Sequence, residues 1–225
     1  MLNLVRRPLL IFSTCVLLTG WLTAGNFALT DKLLQQVSEY YGEDAKQRLL
    51  EWQDVVQQNQ HLSEQEKLEL VNDFFNRVRF INDIDHWHQE DYWATPVEFL
   101  STNGGDCEDF SIAKYFTLKE LGIPMERMRI TYVKALDYNQ AHMVLTYYAT
   151  PDAEPVVLDN LISEIKPASR RTDLVPVYSF NGNGLWLSKE RGKGQRVGSS
   201  RRIRMWQDLG LRLNRQHGTF HGRFG

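Results

Sequence analysis

Cysteine is scarce: the 225 residues contain two, Cys15 and Cys107. Cys15 sits inside an apolar run, and a chain with so few thiols cannot rely on a disulfide framework. Long apolar segments are lacking too. The run from Leu9 to Leu22 is interrupted by Ser, Thr and Gly and is shorter than the roughly 20 residues a spanning helix needs. No glycine-rich phosphate loop is present, so a nucleotide-dependent mechanism has no support. No internal repeat is visible, which argues against solenoids and propellers. The formal net charge is only −2, from 26 basic and 28 acidic residues, so overall charge selects no class of partner.

What remains is an ordinary globular composition, 42% hydrophobic and 24% charged, in a chain long enough for one domain with a substantial core. Arg6 and Arg7 before the apolar run match the charged and apolar regions of a secretory signal. Residues 1–25 are therefore expected to be a signal peptide, with a retained N-terminal anchor as the alternative, and the protein is expected in the periplasm. Once that segment is removed, Cys107 is the only thiol left.

Apolar spacing predicts helices between Thr30 and Phe80: Leu33, Leu34, Val37 and Tyr40, then Leu49, Trp52, Val55 and Val56. Ser63 and Glu66 form a capping box ahead of Leu68, Val71, Phe74 and Phe75. The mixture Asp83, Asp85, His86, His88, Glu90 and Asp91 matches no standard metal spacing and reads as a solvated connection. Trp87 and Trp93 are candidates for substrate contact, with buried packing the favoured reading for both. Thr95-Pro96 with Glu98 starts a short helix. Asp106 starts another, running through Ile112, Phe116 and Leu121 to Gly122 and Pro124. Strands follow at 128–133, 142–148, 156–159, 175–180 and 185–187. Helices first and antiparallel strands after make an α+β fold over residues 26–188.

Residues 189–225 differ in composition. They hold ten Lys and Arg against Glu190 and Asp208, whereas the first 188 residues hold 16 basic and 26 acidic side chains. This segment is expected to be a basic, mobile tail, with one short helix around Ile203, Trp206, Leu209 and Leu213. Self-association, including a homodimer, or contact with an anionic membrane surface fits it better than nucleic acid, for which no role is expected.

Gly104-Gly105-Asp106-Cys107 ahead of an apolar-periodic helix puts the thiol at the first helical position. Free backbone N–H groups and the helix dipole favour negative charge there, so a lowered thiol pKa is expected. The same amides are placed to meet an acyl oxyanion. His142 heads a strand 35 residues later, and Asp159 ends the next strand after a further 17. If those strands are adjacent and antiparallel, both residues reach one end of the sheet, giving a nucleophile, a base and an orienting acid in the order Cys, His, Asp.

Gly105-Asp106-Cys107-Glu108-Asp109, Ala141-His142-Met143-Val144-Leu145 and Leu158-Asp159-Asn160 resemble the bacterial transglutaminase-like cysteine proteinases. Trp93 to Leu100 resembles them too, and the likeness covers roughly residues 30 to 187. The resemblance implies a papain-like fold, a nucleophile helix packed on an antiparallel sheet, and Cys107, His142 and Asp159 as catalytic residues. It also implies a calcium requirement, with Asp106, Glu108 and Asp109 as ligands, although Asp106 and Asp109 equally suit plain helix capping. The substrate it implies is a large surface adhesin cut near its N-terminus. The regulator it implies is an inner-membrane cyclic di-GMP receptor that sequesters the protease. A transglutaminase passing the acyl group to an amine, and a non-catalytic binding module, are the alternatives.

Overall fold

Three helices open the computed structural model, which describes residues 27–189 and 192–216. They are α1 (Asp31–Tyr41), α2 (Glu43–Gln58) and α3 (Glu64–Phe75). Gly42, at φ 88°, breaks α1 from α2 in a conformation costly for any other residue. The Ser63–Glu66 capping box forms as expected and fixes the start of α3. Next come the two-residue strand β1 (Arg79–Phe80), α4 (Asp83–His86), α5 (Pro96–Thr102) and β2 (Gly104–Gly105). β1 pairs β2 in parallel, Arg79 opposite Gly104 and Phe80 opposite Gly105. This small bridge matters because it carries Asp83 to the start of the next helix.

That helix, α6 (Cys107–Glu120), is buried on every side. It packs against α3 and α5 and against the sheet strands β3 (Met128–Ala135) and β4 (Gln140–Tyr147). Trp52 on α2 donates an indole hydrogen bond to Thr117 of α6 at 2.8 Å, in a fully buried position. A helix that is apolar or internally satisfied all round belongs at the centre of a core, and α6 is that centre.

The remaining strands are β5 (Val156–Leu158), β6 (Lys166–Pro167), β7 (Leu174–Phe180), β8 (Leu185–Lys189) and β9 (Gly192–Gly198). They complete a seven-stranded antiparallel sheet in the order β6-β5-β4-β3-β7-β8-β9. β4 and β5 are antiparallel neighbours, Leu145 opposite Leu158, as the placement of His142 and Asp159 required. The α+β architecture is therefore as expected. β6 and β9 were not foreseen; the first is too short to show a period, and the second is rich in glycine and charge.

The expected mobile tail is not observed over residues 192–216. This stretch forms β9, which pairs with β8, and α7 (Arg204–Arg215). Trp206, Leu209 and Leu213 of α7 are buried in the main core, where Trp206 stacks on Phe116 at 5.8 Å and meets Phe180 edge-on at 5.2 Å. Arg212 donates to Tyr92 Oη, Glu98 Oε2 and the Trp93 carbonyl, tying α7 to the segment ahead of α5. The short helix expected around Ile203, Trp206, Leu209 and Leu213 is thus present as α7; what the basic composition concealed is its docking on the core, for which two or three large side chains suffice. Replacing Trp206 by Ala is expected to cost about 3–5 kcal/mol, read as a lower denaturant midpoint. A mobile tail would leave the midpoint unchanged. The expected signal or anchor at 1–25 and the last residues, 217–225, lie outside the described residues.

Candidate active site

Cys107 is the first residue of α6, as the sequence predicted. Gly105 is required just before it: a Cβ there would collide with Asp109 and with the Phe99 ring. Ser111, one turn along, bridges helix and sheet by donating to the Cys107 carbonyl at 2.9 Å and the Met143 carbonyl at 3.0 Å. The thiol is thereby held against the backbone of Met143, the residue that follows His142.

His142 and Asp159 come together as expected. His142 Nε2 lies 2.8 Å from Asp159 Oδ1, with both side chains almost fully buried. This hydrogen bond uses Nε2 and leaves Nδ1 as the ring nitrogen available to another group. Asp159 Oδ1 also accepts from the Leu161 amide at 3.0 Å, and Oδ2 accepts from Arg171 at 2.7 Å. Burial alone would raise the Asp159 pKa, but the bonds from His142, Leu161 and Arg171 outweigh it and hold the carboxyl at about 2. Asp159 is thus a fixed anion over the whole neutral range.

Lys114, on α6, is buried beneath this pair. Its ammonium donates to Asn72 at 2.8 Å and Asn76 at 2.7 Å, and Asn76 in turn donates to the Asp159 carbonyl at 2.9 Å. Burial draws the Lys114 pKa down to about 7, with Asp159 pulling the other way. Neither Lys114 nor Arg171 was singled out from the sequence. A lysine inside an apolar-periodic helix carried a faint signal; Arg171 carried none.

The expectation of a lowered thiol pKa is overturned. Cys107 is pushed well above its ordinary value, first by burial and then by the charges of Glu108 and Asp106. Glu108 Oε2 takes the thiol hydrogen bond at 3.0 Å. A helix N-terminus favours an anion by at most about 1–2 kcal/mol, which two adjacent carboxylates and burial exceed.

Those carboxylates belong to a larger cluster. Oxygens of Asp83, Asp106 and Asp109 lie within 4.8 Å of one another, as do those of Asp83, Asp91 and Glu108, and Asp106 and Glu108 group likewise with the thiol. Asp83 is pushed up to about 7, mainly by burial and then by Asp106 and Asp91. Asp106 rises to about 9, by burial and by Glu108, and Glu108 to about 7, again chiefly by burial. One carboxylate oxygen of Asp83 and one of Asp106 are buried with no hydrogen-bond partner. Buried polar atoms normally have a partner, so two orphaned oxygens facing other carboxylates fit a hard cation such as calcium.

Asp109 fits that role less well than the sequence suggested. Its Oδ1 accepts from the Ala94 amide at 2.7 Å and its Oδ2 from the Asp106 amide at 3.2 Å, so the capping reading describes it better. Asp83 and Asp91 were missed, having been assigned to a solvated connection. Asp83 is instead buried, because the β1–β2 bridge folds that connection onto α6. Trp93 is packing, as expected, stacked on Phe180 at 5.6 Å.

Residues 37–187 match the family model of the bacterial transglutaminase-like cysteine proteinases. The chain belongs to that family. Its members' fold is the one seen here, helices packed on an antiparallel sheet, and the chain is a cysteine protease of this type. Legionella pneumophila LapG is 43% identical, with a TM-score of 0.71 over 81% of this chain and 94% of that one. The calcium-bound form of Legionella LapG gives 43% identity and a TM-score of 0.70 over 81% and 98%. No curated protein matches the chain. Among the described residues, no helix is long and apolar enough to cross a membrane.

Proposed function

We propose that this family member is a calcium-dependent periplasmic cysteine endopeptidase that cuts the N-terminal region of a large surface adhesin. The observation that carries the reading is the buried His142–Asp159 hydrogen bond beside the residue whose backbone meets the Cys107 thiol. In this mechanism Cys107 Sγ attacks the scissile carbonyl as its proton passes to His142. The C–S bond forms, and the C–N bond breaks as His142 returns the proton to the leaving amine. Water, deprotonated by His142, then attacks the thioester and releases Cys107. The first amides of α6, lacking acceptors a turn earlier, face the oxyanion. Asp159 holds the imidazole in one orientation and stabilises its positive charge.

Asp106, Glu108 and Asp83 are the residues that would hold calcium, with Asp91 at the edge of the cluster. When bound, the ion neutralises the negative charge facing the thiol. Control by an inner-membrane cyclic di-GMP receptor, which withholds the protease from the adhesin, is part of the same proposal and rests on the family likeness.

The deciding experiment incubates the adhesin N-terminal region with wild type and with Cys107→Ala, each with calcium or with excess chelator. One cut, made only by wild type with calcium, is the expected result. Incorporation of a fluorescent amine without cleavage would instead establish a transglutaminase, which uses the same three residues. A binding module would neither cut nor incorporate, and its Cys107 would resist alkylation.

A further inference from the structure

Asp159 needs both of its oxygens held if one of them is to face His142, and a carboxylate that can turn about its Cα–Cβ and Cβ–Cγ bonds does not fix itself. The groups around it are laid out with that effect. Oδ1 takes His142 Nε2 and the Leu161 amide, and Oδ2 takes Arg171 Nη2. Arg171 is in turn clamped by Asp173, which accepts from Nη2 at 2.7 Å and from Nε at 3.0 Å. Its side chain is 2% exposed, and that of Asp173 is 24% exposed.

We propose that Arg171 is a positioning residue for the hydrolytic reaction, its guanidinium holding the Asp159 carboxylate in the rotamer that presents Oδ1 to His142. This inference rests on the reading of Cys107, His142 and Asp159 as catalytic. Stability alone explains the arrangement poorly. A buried ion pair seldom repays its desolvation, and well-packed apolar residues often serve as well or better. Arg171 also buries its Nη1 with no partner, a further cost. Positioning explains why the residue is an arginine: a planar fork reaches two carboxylates at fixed angles, which a lysine ammonium cannot do. The anchoring is shared with α6, because Lys114 sets Asn76 and Asn76 holds the Asp159 carbonyl. Arg171 thus fixes the end of the residue that the main chain leaves free to rotate.

The test compares the full chain with Arg171→Met, Arg171→Lys, Asp173→Asn and His142→Ala, assayed with calcium on the adhesin N-terminal region. Rates are expressed per alkylatable Cys107, so that misfolded protein is not counted. In Arg171→Met, kcat is expected to fall about 10- to 100-fold, the range typical of residues that orient an active-site ligand, while KM stays within about twofold. The His142 Nε2 proton, observable by NMR because Asp159 holds it, is expected to broaden. Arg171→Lys is expected to recover part of kcat and the proton signal.

Arg171→Met with kcat per active thiol within about threefold of wild type, or with an unchanged Nε2 proton signal, overturns the proposal. Should Arg171→Met prove insoluble, Asp173→Asn decides, since its site is partly exposed. A fall in its kcat with KM unchanged supports positioning; wild-type kcat overturns it. If His142→Ala cleaves like wild type, the catalytic reading itself fails. If His142→Ala is inactive while Arg171→Met matches wild type, only the role of Arg171 fails.

Discussion

Cys107→Ala and His142→Ala are each expected to lower kcat/KM by about 10⁵- to 10⁶-fold, and Asp159→Asn by about 10⁴-fold, or roughly 5.5 kcal/mol of transition-state stabilisation. The ordering follows from the geometry. Cys107 supplies the bond-forming atom and His142 moves the proton, so losing either stops the same step. Of the two reacting residues Asp159 touches His142, and it acts by fixing which ring nitrogen carries the proton. An asparagine in its place can turn its amide N–H₂ toward Nε2 and favour the wrong tautomer. Non-additivity provides the sharper check. Cys107→Ala combined with His142→Ala is expected to be no worse than either alone, because a base without a nucleophile has nothing to activate. Losses that multiplied, or an Asp159→Asn enzyme within threefold of wild type, would break the catalytic assignment.

The second large effect concerns the carboxylate cluster. In chelator, protein stability is expected to fall as pH rises from about 5 to 9; with saturating calcium the dependence is expected to flatten. Asp83, Glu108 and Asp106 have folded-state pKa values of about 7, 7 and 9, above the usual carboxylate range near 4. The folded state therefore keeps protons that the unfolded chain has already released. Their contribution is fully present below about pH 4 and is lost as pH climbs through those folded values. A cation on the same oxygens substitutes for the protons. At neutral pH, calcium at about a hundred times its dissociation constant stabilises by about 2.7 kcal/mol, a rise in Tm of roughly 5–10 °C. Proteolysis is expected to drop about tenfold or more in chelator, because the thiol then faces a Glu108 that is partly ionised near neutral pH and takes its hydrogen bond, and each unit of thiol pKa is a factor of ten. A pH-independent melting temperature in chelator, or no shift on adding calcium, would mean that these oxygens hold no ion.

Local chemistry made several features legible. Ser63–Glu66 and Thr95–Glu98 announce helix starts through short-range hydrogen bonds, and both form. Cys107 at a glycine-preceded helix start, and His142 and Asp159 at the ends of successive strands, depend on spacing within one or two neighbouring elements. Antiparallel pairing of β4 and β5 then brings His142 and Asp159 together, and the contact of the Cys107 thiol with the Met143 backbone sets it beside their strand. What stayed hidden depends on chain segments meeting across long separations. Asp83 enters the acidic cluster through a two-residue parallel bridge, and α7 docks by three apolar side chains within a basic segment.

The sequence by itself therefore determined the α+β order of elements, the thiol at a helix start and the His–Asp partnership, because each follows from periodicity, capping or the pairing of adjacent strands. Only the tertiary structure decided the electrostatics. Whether the helix dipole or the neighbouring carboxylates govern the thiol, whether Asp109 caps or coordinates, and which cation steadies Asp159 all turn on burial and on distances of a few ångströms. Charge interactions change several-fold over such distances when water is excluded, and no one-dimensional pattern records them.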